Sequence, residues 1–307
     1  MTLLLTLLLL GLLVTLVIQG QITARLMLKR AENQAWRAQL RAAALDAAWA
    51  ALDRLAADTD LQVDHLGEDW AQPEECLLPN GIITRTRIED ATACFNINNL
   101  AVKLPLSFQR QPRDVVAELL KMAQQLDPAR QARALQDWIE ADPTAPAGAP
   151  AGSDQTPLAT SGRPMESPGE IVYVLAQTGS AEPALPSGLT VLPTPRGDIA
   201  PRSNVLTTIN LNTAETNVIL AVLGQQNTSA ARALCITREA APLVSLTPLN
   251  QLLKTSADNP WQGYFDVKSS YFMVISSAEH NRAAAGICAW VYRDPQGQIE
   301  ILRWLAP

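Results

Sequence analysis

The side chains able to do chemistry are few and scattered. In 307 residues there are two histidines, His65 and His280, and four cysteines, Cys76, Cys94, Cys235 and Cys288, with no C-x-x-C pair among them. Zinc sites need clustered thiols and imidazoles, and that spacing is absent. The chain also lacks G-x-S-x-G, H-E-x-x-H and a phosphate-cradling P-loop, so no nucleophile is paired with a base. His65 lies among acids in VDHLGED, where a turn leaves the imidazole solvated. Glu74 and Glu75 are adjacent and hydrate a loop. The seven tryptophans, Trp36, Trp49, Trp70, Trp138, Trp261, Trp290 and Trp304, are spread along the whole chain, as packing requires and a sugar-stacking row does not. No catalytic residue emerges. The thiols are either buried and reduced or, in a chain that leaves the cytoplasm, disulfide-bonded in one of three full pairings.

One stretch raises a nucleic-acid question. TTINLNTAETNVILAVLGQ (207–225) reads as a strand, a helix start and a hairpin. A helix-hairpin-helix that holds phosphate needs a glycine-rich turn, and this one has a single glycine, Gly224. The net charge of −6 supplies no field for a polyanion. Asn212 or Thr213 is expected as the N-cap of a structural helix, with Glu215 in its first turn.

The elements that must position these residues begin with an apolar rod. No charge occurs from Met1 to Ala24, and about 36 Å of helix over that length spans a hydrocarbon core. A cleaved signal would show a basic start and a small-residue cleavage site, and neither is present. The absence of a basic residue before the apolar core points to a short basic leader ahead of residue 1. Arg25, Lys29 and Arg30 just after the core would, taken alone, place that end in the cytoplasm. Without Gly or Pro, the segment after the core continues the helix to about residue 58. Its second half is amphipathic, with Leu45, Ala48, Trp49, Leu52, Leu55 and Ala56 in one sector.

A chain of this length holds two compact domains, or one domain with an insertion. Gly81 to Glu89 alternates as a strand, expected to lean with a partner on the helix face that holds Trp49. Helical spacing follows: Val115, Val116, Leu119, Leu120 and Met122 form one stripe, and Ala134, Leu135, Trp138 and Ile139 another, with Asp127-Pro128 between them. Residues 143–169 are rich in Pro, Gly, Ser and Thr and read as loop. ESPGEIVYVLAQTG and TAETNVILAVLG are two further short helices. The tail returns to strands, with AAGICAWVYR and QIEILRWL flanking a hairpin at Asp294-Pro295-Gln296-Gly297. If the early and late strands share one sheet, the helical block is an insertion into an α+β domain.

Several pieces then coincide. The long apolar-to-amphipathic helix, GEDWAQP, IEDATACFNINNL, LQDWIEADP, ESPGEIVYVL, INLNTAETNVILAVL, VKSSYFMV and a closing strand pair resemble, in that order, the K-type minor pseudopilin of type II secretion systems, the GspK family. The resemblance implies a type IV pilin-like α+β fold, a long N-terminal helix plus antiparallel sheet, with a large SAM-like helical insertion. Divided accordingly, residues 1–24 are the transmembrane half of the helix and 25–98 the first part of the head. Residues 99–203 are the inserted helical domain with its Pro/Gly-rich loop, 204–261 a second SAM-like segment, and 262–307 the strands completing the head. It further implies a non-enzymatic subunit at the tip of a periplasmic pseudopilus, single-pass in the inner membrane with the head in the periplasm. Its partners would be the I-type and J-type minor pseudopilins, the major pseudopilin and the secreted substrate, and no nucleic acid.

Major pilins of this kind carry a glutamate five residues into the mature helix, whereas here position 5 is Leu and no acid precedes Glu32. A carboxylate in lipid persists mainly when paired, so its absence suits a subunit with no neighbour above it. The assembly helix is expected to work through Leu3, Leu4, Leu5, Leu8 and Leu12. Relatives bind calcium after a DWxxAD motif, which implies Asp137, Glu140, Asp142 and Asp154 as ligands, against the alternative of a solvated acidic loop. Glu140 and Ser153 depart from the residues usual in the family, Asp and Glu, and no acid lies between Asp142 and Asp154. The alternative function is a membrane-tethered periplasmic binding module that holds an exported protein or ligand with its helical insertion.

Overall fold

The computed structural model describes residues 1–105, 110–140, 161–179, 184–193, 206–254 and 261–305. Helix α1 (Thr2–Ala56) opens the chain as one unbroken rod of 55 residues, about 80 Å at 1.5 Å per residue. The strands follow as β1 (Glu74–Leu77), β2 (Ile83–Asp90) and β3 (Phe95–Asn96). Then come α2 (Pro112–Met122), α3 (Pro128–Ile139), α4 (Pro168–Gln177), β4 (Leu189–Thr190), β5 (Ile209–Asn210), α5 (Thr216–Leu223), α6 (Thr228–Ala240) and α7 (Thr247–Leu253). The chain closes with β6 (Phe265–Asp266), β7 (Tyr271–His280), β8 (Ala283–Arg293) and β9 (Ile299–Leu305).

Early and late strands do share one sheet. Its order is β1-β2-β7-β8-β9, antiparallel throughout. The helices α2 to α7 are therefore inserted between β2 and β7, as the α+β pilin-like reading requires. The period of two holds in β2, where Thr84, Thr86, Ile88 and Asp90 are buried and Arg85, Arg87 and Glu89 are exposed. Across the insertion Thr86 Oγ1 lies 2.9 Å from Ser276 Oγ, in register with it on β7.

The head's core lies between the sheet and the upper part of α1. Its helix side is Leu40, Ala43, Ala44, Ala48, Ala51, Leu52 and Leu55, and its sheet side includes Ile88, Phe272, Val274, Ile287, Ala289 and Val291. Four of the seven helix residues are alanines, which let the sheet approach the helix backbone closely. Trp49, expected beneath the sheet, is 47 % exposed. Its indole is too large for the alanine seam and lies at the rim against Trp304, with ring centroids 5.7 Å apart.

The helical unit has a core of its own, in which α2, α3, α4, α5, α6 and α7 all take part. Asp127 and Ser167 cap α3 and α4 and each is followed by Pro at the first helical position, a signal read from the sequence at Asp127-Pro128. Gln111 and Asp114 form a capping box at α2, with the Gln111 amide donating to Asp114 Oδ2 at 3.1 Å. In α5 every residue from Val218 to Leu223 is buried, and the helix stops at Gly224, whose φ of +85° favours glycine. Gly188, also at positive φ (+82°), sits so close to α5 that a Cβ there would lie 2.8 Å from Val218 Cγ2.

The expected N-cap of α5 is overturned. The helix begins at Thr216 with Glu215 as the flanking residue. The Asn212 amide is spent elsewhere: it accepts from Leu243 N at 2.8 Å and donates to Leu243 O at 3.0 Å. A side-chain amide that mimics a peptide group outcompetes the cap here because Leu243 lies beyond α6 and must be tied back to the strand β5.

Candidate functional site

Two regions hold the residues that sequence reasoning singled out, and a third holds residues it missed. Leu3, Leu4, Leu5, Leu8 and Leu12 are all on the free part of α1, between 57 % and 76 % exposed. At 100° per residue Leu4, Leu5, Leu8 and Leu12 fall along one side of the rod and Leu3 on another. Every residue of α1 from Thr2 to Ala35 is exposed, so the lower rod is available for contact up to Trp36, which stacks on His280.

Of the acidic candidates, Asp137 sits in the last turn of α3 and Glu140 directly after it. Both are exposed on that helix end. The surrounding protein, by removing water, pushes the Asp137 carboxyl up; Arg133 and Arg113 oppose this and Glu140 adds to it. Asp142 and Asp154 lie outside the described residues. The Ser161 and Gly162 amides both donate to Trp138 O, at 3.0 and 3.1 Å, so the chain re-enters beside the point where it left. The Trp138 indole donates to Glu170 Oε2 at 3.3 Å and fixes α4 against α3. Asp137 and Glu140 thus stand three residues apart at one helix end, while a calcium ion takes six to eight oxygens.

The missed residues form a buried polar junction where α1, the sheet and the helical unit meet. Asp90, at the end of β2, accepts on Oδ1 from Thr92 N (2.8 Å) and Thr92 Oγ1 (2.5 Å). On Oδ2 it accepts from Ser269 Oγ (2.5 Å), Asn210 Nδ2 (3.2 Å) and Thr213 Oγ1. Asp64 is fully buried and accepts from Ser269 N at 2.7 Å and from Arg293 Nη2. Arg293, 3 % exposed, also donates to Asp58 Oδ2 at 2.6 Å and stacks over Phe272, 4.8 Å from the ring centroid. Asn210 reaches across to donate to Asp64 O at 3.0 Å and Ser269 Oγ at 2.8 Å. One network thus ties the segment that follows the rod, strands β2 and β8, and the INLN segment of the helical unit.

Burial raises the Asp64 carboxyl to about 6, with Arg293 and the Ser269 amide pulling it back down and Asp90 adding to the rise. Glu68 is also raised, chiefly by burial, against hydrogen bonds from the His65 amide (2.7 Å) and the Trp70 indole (2.8 Å). The carboxylates of Asp58, Asp64 and Glu68 lie within 4.8 Å of one another. Arg293 already neutralises two of them, so the trio is built around a guanidinium and not around a metal ion.

Two more asparagines, Asn98 and Asn99, repeat the clamp seen at Asn212, and Asn96 bridges two further residues. Asn98 donates to Met165 O at 3.0 Å and accepts from Met165 N at 2.8 Å. Asn99 does the same with Thr207, at 3.1 and 2.9 Å. Asn96 accepts from Leu192 N at 3.3 Å and donates to Thr207 Oγ1 at 3.1 Å. The four cysteines are free thiols, and burial pushes Cys94 up to about 11, with the charges of Asp90, Glu215 and Glu89 adding to it. Such a thiol is a poor nucleophile. The arrangement orders a scaffold and contains no activated group.

Residues 93–194 match the family model of protein K of the type II secretion system. The match spans about a third of the chain. In a crystal structure of the GspK–GspI–GspJ complex from the enterotoxigenic Escherichia coli type 2 secretion system, one chain shares the fold at a TM-score of 0.63. Its identity is 19 %, and the alignment covers 92 % of this chain and 99 % of that one. At that identity the likeness speaks to fold: long helix, antiparallel sheet and helical region. No curated protein matches by sequence. The recognition of a K-type minor pseudopilin, made from the order of motifs, is borne out by the family match and the shared fold. Those motifs are where the clamps reside: Asp90, Asn96, Asn98 and Asn99 in IEDATACFNINNL, Asn210 and Asn212 in INLN, and Ser269 in VKSSYFMV.

Proposed function

We propose that this minor pseudopilin caps the tip of a periplasmic pseudopilus and starts its assembly with I-type and J-type minor pseudopilins. It would be anchored in the inner membrane by α1, with its head in the periplasm. The observation that carries the proposal is the protein K domain set on an exposed apolar rod. Residues 1–31 contain no acid, so this part of the rod offers no carboxylate to the amine of a subunit above it, which suits a terminal position. No step of chemistry is required of the chain; it works by docking.

Co-purification from detergent-solubilised membranes tests the partners. The full chain should elute with I-type and J-type subunits in one complex. A chain that stays monomeric beside those subunits would instead support the membrane-tethered module that holds an exported protein or ligand.

A calcium ion held by Asp137, Glu140, Asp142 and Asp154 is part of the same proposal. Asp137 and Glu140, both exposed at the end of α3, supply the hard carboxylate oxygens that calcium takes. Calorimetric titration should then show heat at calcium concentrations up to millimolar, the weak end for extracellular sites. Silence over that range removes the site and leaves a solvated acidic loop.

A further inference from the structure

The rod just past the apolar span carries positive charge that forms no ion pair among the described residues. Between residues 25 and 41 stand Arg25, Lys29, Arg30, Arg37 and Arg41 against one acid, Glu32, although the whole chain has a net charge of −6. All six are exposed. None is in an ion pair among the described residues, whereas Arg54, Arg85, Arg87, Arg110, Arg163 and Arg293 of the head all are.

We propose that Arg25, Lys29 and Arg30 form a collar that binds the phosphates of anionic phospholipids in the outer leaflet of the inner membrane and so sets how deep α1 sits. This rests on the anchored, head-outward reading above. The dimensions fit. Residues 2–24 cover about 35 Å of helix and fill a hydrocarbon core of about 30 Å. From Arg25 to Arg30 the rise is about 7.5 Å, and the headgroup layer on each side of a bilayer is about 5–8 Å thick. The collar therefore occupies one headgroup layer. Leu26, Met27 and Leu28 lie between the cations and are exposed, 52 % to 63 %, so the same turn offers apolar surface to the acyl boundary. Long cationic side chains on such a turn lay their stems on lipid and lift their heads to the phosphates.

The first buried residue of the head, Leu40, lies ten residues beyond Arg30, or about 15 Å, so the head does not cover the collar. Arg37 and Arg41 stand above the headgroup layer and are outside the collar. In the head-outward orientation the three cations run against the positive-inside rule, so they do not set topology, and the outer-leaflet phosphates are what they meet.

The test uses the full chain reconstituted in phosphatidylcholine vesicles with spin-labelled phosphatidylglycerol or phosphatidylcholine as probe. Flotation that resists carbonate reports the anchor separately. The collar predicts that phosphatidylglycerol is preferred about fivefold at low salt, the worth of one cation near an anionic surface. The preference should fall to parity in high salt and in an R25Q/K29Q/R30Q variant that still floats, and should persist in R25K/R30K. A floating chain with no preference, or a triple variant that keeps it, overturns the collar and leaves the anchor standing. A chain that does not float overturns both.

Discussion

Asp64 shows how much of this molecule depends on single polar side chains. Its carboxylate is buried beside a buried guanidinium, and removing one partner of such a pair leaves the other uncompensated, at a cost of about 3–5 kcal/mol. Because burial raises the Asp64 carboxyl, part of this penalty is offset once it ionises, so Asp64→Asn, with Asp58 still holding Arg293, should lower the stability of the head more at pH 4 than at pH 7 in urea unfolding. The folded pKa of about 6 lies above the ordinary value of 3.8, so the folded state binds this proton more tightly than the unfolded one. The Asp64 contribution is then fully present below pH about 4 and is lost as pH rises through about 6, a change of up to about 3 kcal/mol at 1.36 kcal/mol per unit. The stability of Asp64→Asn should be flatter over pH 4 to 6 than that of the parent chain, and equal slopes would remove Asp64 as the titrating group. Neither Asp64 nor Arg293 was legible beforehand. They are 229 positions apart, and pairing across an insertion leaves no local signal. The misreading of Asn212 as a cap has the same origin: an asparagine before a helix is locally a cap, and only the fold brings Leu243 to it.

At the scale of the element, periodicity carried the sequence reading well where one face is buried. The alternation in β2 and the stripes of α2 and α3 came through because each element meets the core on one side only. The upper half of α1 was read with the right sector but the wrong emphasis, since the seam is made by small residues and the large Trp49 is at its rim. That seam makes a sharp prediction. Ala48→Leu forces a larger side chain into a fully buried site and should cost about 1–3 kcal/mol, read as a lowered Tm of the head. Ala42→Leu, on the exposed side of the same helix, should change it little. Gly188→Ala should also destabilise, because it combines a left-handed backbone with a Cβ contact against Val218 on α5. The short helix α7 and the two-residue parallel pair β3-β4 have too few residues to print a period, and the sequence reading passed over them, whereas β5 was read as the strand ahead of α5.

The whole molecule is a rod, a sheet and a helical unit, with separate cores on the two sides of the polar junction. Its family was legible where its contacts were not, because the ordered motifs are the segments whose asparagines and acids make those contacts. The apolar rod reads from composition alone, while the acidic loop remained an expectation because Asp142 and Asp154 fall outside the described residues. The proposed terminal role rests on the lack of any acid among residues 1–31, so supplying one should alter placement: Leu5→Glu should admit the subunit within the filament, detected as new crosslinks to subunits on its upper side. The most direct measurement is immunogold labelling of this chain on sheared pseudopili. A tip subunit predicts label at one end of each fibre; label distributed along the length, or fibres of normal number and length assembled without the chain, would contradict the account.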